Sequence, residues 1–211
     1  MIVQILVDNR NSWYVPFAHV LKEKLNKITD STSVIHDHSD VKKGDVLCLV
    51  SCEKIFRNLE LNHTNIVVHE SDLPKGKGWS PVSWQVLEGI NSIPVTLFEA
   101  NKDIDSGIIY FQDFIELDGL ELLDEIKTQQ GLITNRLIEK FIASYPVIKG
   151  RKQVGKSTFY KKRTPKDSEL DINKTIKEQF NLLRIVDNER YPAYFTINGK
   201  KYTLKINKDN E

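Results

Sequence analysis

The 211-residue chain carries 30 basic and 29 acidic residues, a formal net charge of +1, and 40% hydrophobic residues. That is enough apolar material for one substantial core, and the balanced charge excludes a chain driven onto nucleic acid or anionic lipid by its overall field. The opening "MIVQILVDNRNSW" has a short apolar run without a basic leader, unlike a signal peptide, and no run reaches transmembrane length, so a cytoplasmic protein is expected.

In chain order, "IVQILVD" (2–8) reads as a strand and residues 14–28 as a helix. "SVIHDH" (33–38), "DVLCLVS" (45–51) and "NIVVHES" (65–71) read as further strands. Apolar β-branched runs alternating with a helical period imply an α/β fold built on a parallel sheet covered on both faces. Cys48 and Cys52 lie in or beside one such run, and neither belongs to a second Cys or His pair at zinc spacing, so buried thiols and no metal are expected. "SPVSWQVLEG" (80–89) opens with Ser-Pro and closes on Gly89, the signature of a short helix. "IPVTLFEA" (93–100) and "GIIYFQDFIEL" (107–117) read as strands. A long helix is expected over 118–145, with one slip in its apolar spacing at Gly131.

A boundary is expected near Pro146, dividing a core (1–148) from an extension (149–211) made of a basic linker, an amphipathic helix over 171–186 and a hairpin over 193–206. Asn198-Gly199 supplies the hairpin turn. Residues 149–166 hold eight Lys or Arg and no acid, which suits either a solvated linker or a patch facing a polyanionic substrate. Within them "GRKQVGKS" (150–157) matches the phosphate-loop pattern letter for letter. No strong strand precedes it and no helical period follows, so its amides have no helix N-terminus from which to converge on phosphates, and nucleotide hydrolysis is refused.

Ligands of such sheets gather at the carboxyl ends of the strands, here the loops "DNRNSW", "SCEKI" and "HESDLPKGKG". His69 directly follows the buried run "IVV". Asp105, in "NKDIDSGI", belongs to the loop expected after the next strand, where a carboxylate can orient an imidazole for proton transfer near neutral pH. Asp105 merely capping a turn with Ser106-Gly107 is the competing reading.

"HESDLPKGKGWSPVSWQVLEGINSIPVTLFEANKDIDSGIIY" closely resembles the signature of the folate-dependent formyltransferases, the family of methionyl-tRNA formyltransferase, glycinamide ribonucleotide transformylase and the sugar-nucleotide N-formyltransferases. The family pattern, His-x-Ser-x-Leu-Pro, a Gly, a Ser-Pro helix and a later Asp-Ser/Thr-Gly turn, falls on His69, Ser71, Leu73, Pro74, Gly78, Ser80, Pro81, Asp105 and Gly107. A second block, 163–204, resembles the segment that follows the catalytic core in the tRNA and sugar branches. The resemblance implies a Rossmann-like core, N10-formyltetrahydrofolate as donor and a primary amine as acceptor. It also implies His69 and Asp105 as the catalytic pair, His69 serving the oxyanion and Asp105 orienting it and collecting the amine's proton. The pterin is expected against residues 101–105, including Asp103 and Ile104, and against Ser51, Cys52 and Ile55.

One departure stands out. Where the family places an oxyanion-binding Asn two residues before the His, this chain has Val67. Losing one such donor costs on the order of 3 kcal/mol elsewhere. Ser51, Ser71 or a backbone N–H are the candidate replacements. Asn65 faces the same side, yet lies about 13 Å away at roughly 3.3 Å per residue.

Among acceptors, the short helix-plus-hairpin extension argues against tRNA, and "DNRNSW" in place of a Gly-rich phosphate turn argues against glycinamide ribonucleotide. The overall pattern looks most like the small N-formyltransferases of pseudaminic-acid-type surface-glycan biosynthesis, so a UDP-linked 4-amino-4,6-dideoxy sugar is the expected acceptor. Methionyl-tRNA or another amine, and a non-catalytic binder of folate or nucleotide sugar, are the alternatives. Lys75, Lys77 and Arg184 are candidates for the diphosphate, Trp79, Tyr194 and Phe195 for stacking on base or sugar, and Asn9, Asn11 and Trp13 for gripping the sugar. An exposed hairpin is compatible with a homodimer.

Overall fold

The computed structural model describes residues 1–209. Its elements run β1 (Ile2–Leu6), α1 (Val15–Leu25), β2 (Ser31–Ile35), β3 (Gly44–Leu49), β4 (Asn62–His69), β5 (Lys77–Gly78), α2 (Pro81–Leu87), β6 (Ser92–Glu99), β7 (Ile109–Glu116), α3 (Leu123–Ser144), β8 (Phe159–Tyr160), α4 (Phe180–Arg184), β9 (Ala193–Ile197) and β10 (Lys200–Leu204). Six of the strands form one sheet in the order β2-β1-β3-β4-β6-β7. The pairings among β2, β1, β3 and β4 are parallel, as expected of apolar runs buried on both faces. The result is a mostly parallel α/β core of the Rossmann-like kind.

The sheet departs from the expectation at β6, which pairs antiparallel with both β4 and β7. Residues 100–108 between β6 and β7 are too few for a parallel crossover, which takes about a dozen or more. The carboxyl end of β6 therefore does not share an edge with that of β4. Glu99 stands level with Ile66, short of His69.

Helices α1 and α3 cover one face, where Tyr14, Ala18, Leu21 and Leu25 meet Ile133, Leu137, Ile138 and Phe141 over Val3, Ile5, Val46 and Cys48. The slip at Gly131 does not interrupt α3. A Cβ there would sit 2.6 Å from the Phe17 ring, so the missing side chain lets α1 and α3 close together. The opposite face is covered by a smaller cluster of Leu6, Ile35, Val41, Leu47, Leu49 and Phe56.

The extension differs from its expectation in two ways. Only Phe180–Arg184 of the amphipathic helix expected over 171–186 is α-helical, and Ile172 and Ile176 of its apolar stripe are 57% and 62% exposed. The cause is local. The Gln179 side chain bonds the N–H and C=O of Asp171, Asp171 Oδ1 accepts from Asn173 N–H, and Thr175 exchanges bonds with Glu178. Such side-chain-to-backbone bonds compete with helix. The second difference is that residues 149–162 are no free linker. Arg151 bridges Ile109 by two 2.8 Å backbone hydrogen bonds, and β8 pairs with β5. The β9–β10 hairpin forms as expected, with Asn198 and Gly199 both at positive φ.

Candidate active site

His69 closes β4, where the buried run gives way to a polar loop. That loop is anchored rather than loose. The Thr96 hydroxyl donates to Ser71 O at 2.6 Å, and the Gln112 amide donates to Asp72 Oδ1 and Thr96 Oγ1. The imidazole is 9% exposed, and its Nε2 lies 2.8 Å from the Gly76 carbonyl. A carbonyl only accepts, so Nε2 carries the hydrogen, and in the neutral ring Nδ1 is the lone-pair nitrogen.

Asp105 arrives from the loop that climbs back from the end of β6. It adopts φ 50°, in the left-handed region. Its Oδ2 stands 4.0 Å from His69 Nε2 and accepts the Gly78 N–H at 3.0 Å. Gly78 itself is held at φ +97°, and a Cβ there would fall 2.5 Å from Tyr160 O, so only glycine lets this N–H reach the carboxylate beside β8. The imidazole is thus oriented by the Gly76 carbonyl, and Asp105 faces the same nitrogen at one remove. Next door, burial pushes the Glu70 carboxyl above its usual range, while Gln130 Nε2 holds its Oε1 at 2.7 Å.

Val67, in the position of the family Asn, packs against Leu73, Phe98 and Ile109 and offers no donor. Of the two candidate hydroxyls, Ser51 Oγ is engaged with Ser12 Oγ at 2.8 Å, whereas Ser71 Oγ is buried without a partner. Ser71 also lies against Gly76, where an added Cβ would come within 2.9 Å of the Ser71 Cβ.

A cleft of about 410 Å³ opens beyond Trp79, between the loop after β1 and the extension. Asn11, Trp13, Trp79 and Tyr191 line it together with Lys127, Lys162, Arg163 and Arg190. Lys162 Nζ stands 4.5 Å over the Trp79 ring. Arg163 spends its guanidinium on Ile185 O, Asp167 O and Ser168 Oγ, and Lys127 pairs with Asp187. Lys162 and Arg190 have no ion-pair partner among the described residues.

The sequence pattern of the family described as Formyl transferase matches residues 7–130. The chain belongs to the formyl transferase family. Among curated relatives, methionyl-tRNA formyltransferase of Mycoplasma capricolum is 23% identical over 94% of this chain and 66% of its own length. The chain therefore spans just under two thirds of that relative. Among solved structures, methionyl-tRNA formyltransferase from Clostridium thermocellum superposes with a TM-score of 0.83 at 21% identity, covering 100% of this chain and 94% of that one. A sugar N-formyltransferase from Shewanella sp superposes with a TM-score of 0.69 at 17% identity, covering 100% of this chain and 99% of that one.

Within this formyl transferase fold, several expected ligand-binding residues are spent on structure. Arg184, expected at a diphosphate, is 1% exposed and clamps Glu121, Asn91 and Asn181. Lys77 is 7% exposed, with its Nζ 6.0 Å from the Phe159 ring centre, and cannot meet a ligand from solvent. Tyr194 donates to Glu169 under Lys201, and Phe195 stacks on Tyr202, so both belong to the hairpin. Asn9 is tied to Glu53, and the Cys52 thiol, pushed up to about 12 by burial, points to Leu6 O. Lys75 is exposed but does not line the cleft. Ile55 and Ile104 are 55% exposed, and Asp103 N–H turns onto Asn101. The described residues hold no group of three or more metal-ligating side chains.

Gly76, Lys127, Lys162, Arg163, Arg190 and Tyr191 escaped the sequence reading as individual residues. The basic run over 149–166 pointed toward Lys162 and Arg163, the loop "HESDLPKGKG" contains Gly76, and the block 163–204 contains Arg190 and Tyr191; Lys127 carried no signal.

Proposed function

We propose that this chain transfers a formyl group from N10-formyltetrahydrofolate to the primary amine of a nucleotide-linked amino sugar, a UDP-linked 4-amino-4,6-dideoxy sugar being the best candidate. The observation that carries the reading is the His69–Asp105 pair, largely withdrawn from water at 4.0 Å inside the family's signature. The chain fits the donor on two counts: exposed apolar side chains, Ile55 and Ile104, on the loops expected to meet the pterin, and a buried unpartnered hydroxyl, Ser71 Oγ, beside the pair. When bound, the donor supplies the formyl carbon, and its N10 takes over the proton that the amine gives up.

The protein's residues then have separable tasks. Asp105 takes the amine's proton; its Oδ2 is tethered by Gly78, and its Oδ1 has no hydrogen-bond partner among the described residues. His69 keeps Nε2–H on Gly76 and offers Nδ1, which when protonated donates to the oxygen on which negative charge develops. Ser71 Oγ supplies the further donor that Val67 cannot. Acid–base assistance of this kind contributes about 10² to 10⁴ in rate.

A nucleotide sugar suits the cleft beyond Trp79, whose volume is typical of a small-molecule site. Its exposed Trp79 ring can stack on a base or sugar, and Lys162 and Arg190 can meet phosphates. The near-neutral charge of the chain argues against a polyanion as large as tRNA. Methionyl-tRNA is the second reading, favoured by the names of the sequence relatives. Incubation with the formyl donor and a panel of UDP- and dTDP-linked amino sugars, alongside charged methionyl-tRNA, separates the two by mass spectrometry. One CO unit gained on a sugar supports the first reading. Gain on methionyl-tRNA alone establishes the second, and gain on neither rejects both and leaves another amine acceptor or a binding protein.

A further inference from the structure

His69 ends β4 and its support Gly76 lies on the loop 70–76, whereas Asp105 lies on the loop 100–108, which leaves a different strand. Each loop is anchored to the sheet, the first by Thr96 Oγ1 on Ser71 O and the second by Glu99 N–H on Ile108 O, and the 4.0 Å separation depends on what joins one loop to the other. Beside the direct bond from Gly78 N–H to Asp105 Oδ2, residues 151–160 do the joining. The Arg151 and Ile109 backbones pair, Thr158 N–H donates to Pro74 O at 3.3 Å, and Lys77 and Trp79 N–H donate to Thr158 O and Tyr160 O.

Two side chains in this segment reach the pair's own supports. Thr158 Oγ1 accepts the Gly76 N–H at 2.8 Å, and Gly76 is the residue whose carbonyl holds His69 Nε2. The Gln153 amide donates to the carbonyls of Asp105 and Gly107, both at 3.0 Å. Each partner of the pair is thus tied by one side chain to the same short stretch of chain.

We propose that residues 151–160 form a strap that fixes the His69–Asp105 geometry, with Thr158 and Gln153 as positioning residues. The proposal rests on the reading of the pair as catalytic. It also accounts for the phosphate-loop look-alike at 150–157. A Cβ on Gly150 would lie 2.1 Å from Ile108 Cγ2, so that glycine lets the strap enter against Ile108, and Gly155 turns it at φ +123° beside Pro74. The two glycines that complete the pattern serve close packing and a turn.

The test uses the full chain with ¹⁵N-labelled histidine and the variants Thr158→Val, Thr158→Ser and Gln153→Met. Ring-nitrogen NMR of His69 reads the Nε2–H tautomer without any substrate, and turnover reads the consequence. Thr158→Val is expected to lose the single Nε2–H tautomer and to lower kcat by about 10- to 100-fold, with KM for both substrates within about twofold. Thr158→Ser keeps the acceptor oxygen and is expected to restore both. Gln153→Met is expected to lower kcat by a similar factor while leaving the His69 tautomer unchanged, since it acts on the Asp105 loop.

Wild-type tautomer and kcat in Thr158→Val, with wild-type kcat in Gln153→Met, overturn the strap. Should Thr158→Val fail to fold, the kcat of Gln153→Met decides. Should the wild type transfer formyl to no acceptor, the catalytic reading fails by itself, and the tautomer contrast between Thr158→Val and Thr158→Ser still decides whether the strap orients His69.

Discussion

His69 with Asp105 and Arg184 with Glu121 are both acid–base pairs drawn largely out of water, and they differ in what each leaves unspent. The Arg184 guanidinium donates to Glu121 O and Oε2, Asn91 Oδ1 and Asn181 Oδ1, with 1% of the residue exposed. In the other pair the two side chains stop 4.0 Å apart, each held by a backbone group of the 76–78 turn, and His69 Nδ1 and Asp105 Oδ1 have no hydrogen-bond partner among the described residues. A pair with its hydrogen-bonding capacity exhausted stabilises the fold. A pair held apart, with capacity in reserve, is free to exchange protons with something else, which is the role proposed for it.

That contrast can be broken from either side. The largest effect is expected for His69→Ala, which lowers the formyl-transfer rate by about 10² to 10⁴, with circular dichroism unchanged; a variant that keeps its rate removes His69 from the chemistry. Arg184→Met should act on stability instead. Breaking a buried pair costs on the order of 3 kcal/mol and lowers Tm by about 6–12 °C in a chain of this size. A melting curve that matches the wild type would show that Arg184 is not the clamp between α4 and the core.

Ser71→Ala sharpens the question left open by Val67. Removing a buried hydroxyl without a partner should leave stability within about 0.5 kcal/mol and lower kcat by about tenfold or more. An unchanged kcat would hand the oxyanion to His69 or to a backbone N–H. The smallest effect is expected at Asp167. The Lys161 ammonium, with the Thr164 N–H and hydroxyl, lowers its carboxyl to about 2, against the opposing cost of burial. A depressed folded pKa contributes stability above the unfolded value of about 3.9 and loses it as pH falls through about 2. Wild type should therefore exceed Asp167→Asn in Tm above about pH 4 and converge with it near pH 2; a constant difference across that window would contradict the assignment.

Much of this was legible in the chain itself. The run "IVV" ending at His69 and the Asp-Ser-Gly turn at Asp105 are local signals, and the apolar runs were enough to give the sheet. The route by which Asp105 reaches His69 was not legible. The sequence read it as the loop after a parallel neighbour, whereas β6 runs antiparallel and the loop must climb back. Arg184 looked like a free cation because its partners Glu121 and Asn91 lie 63 and 93 positions away, and such pairing leaves no local trace. The helix expected over 171–186 shows the reverse failure. Its period is helical, but Asp171, Thr175 and Gln179 bond the backbone first. The strap residues Gln153 and Thr158 carried no signal, because their significance lies in which carbonyl and which N–H they meet.

The most direct measurement is single-turnover formyl transfer, from N10-formyltetrahydrofolate to the acceptor the panel identifies, by wild type and Asp105→Asn. Asparagine keeps the oxygen that accepts from Gly78 N–H and the volume of the side chain, and removes only the capacity to take a proton. A rate lower by about 100-fold or more at unchanged Tm is the result this account predicts. An equal rate would contradict it and reduce Asp105 to a turn residue beside a histidine.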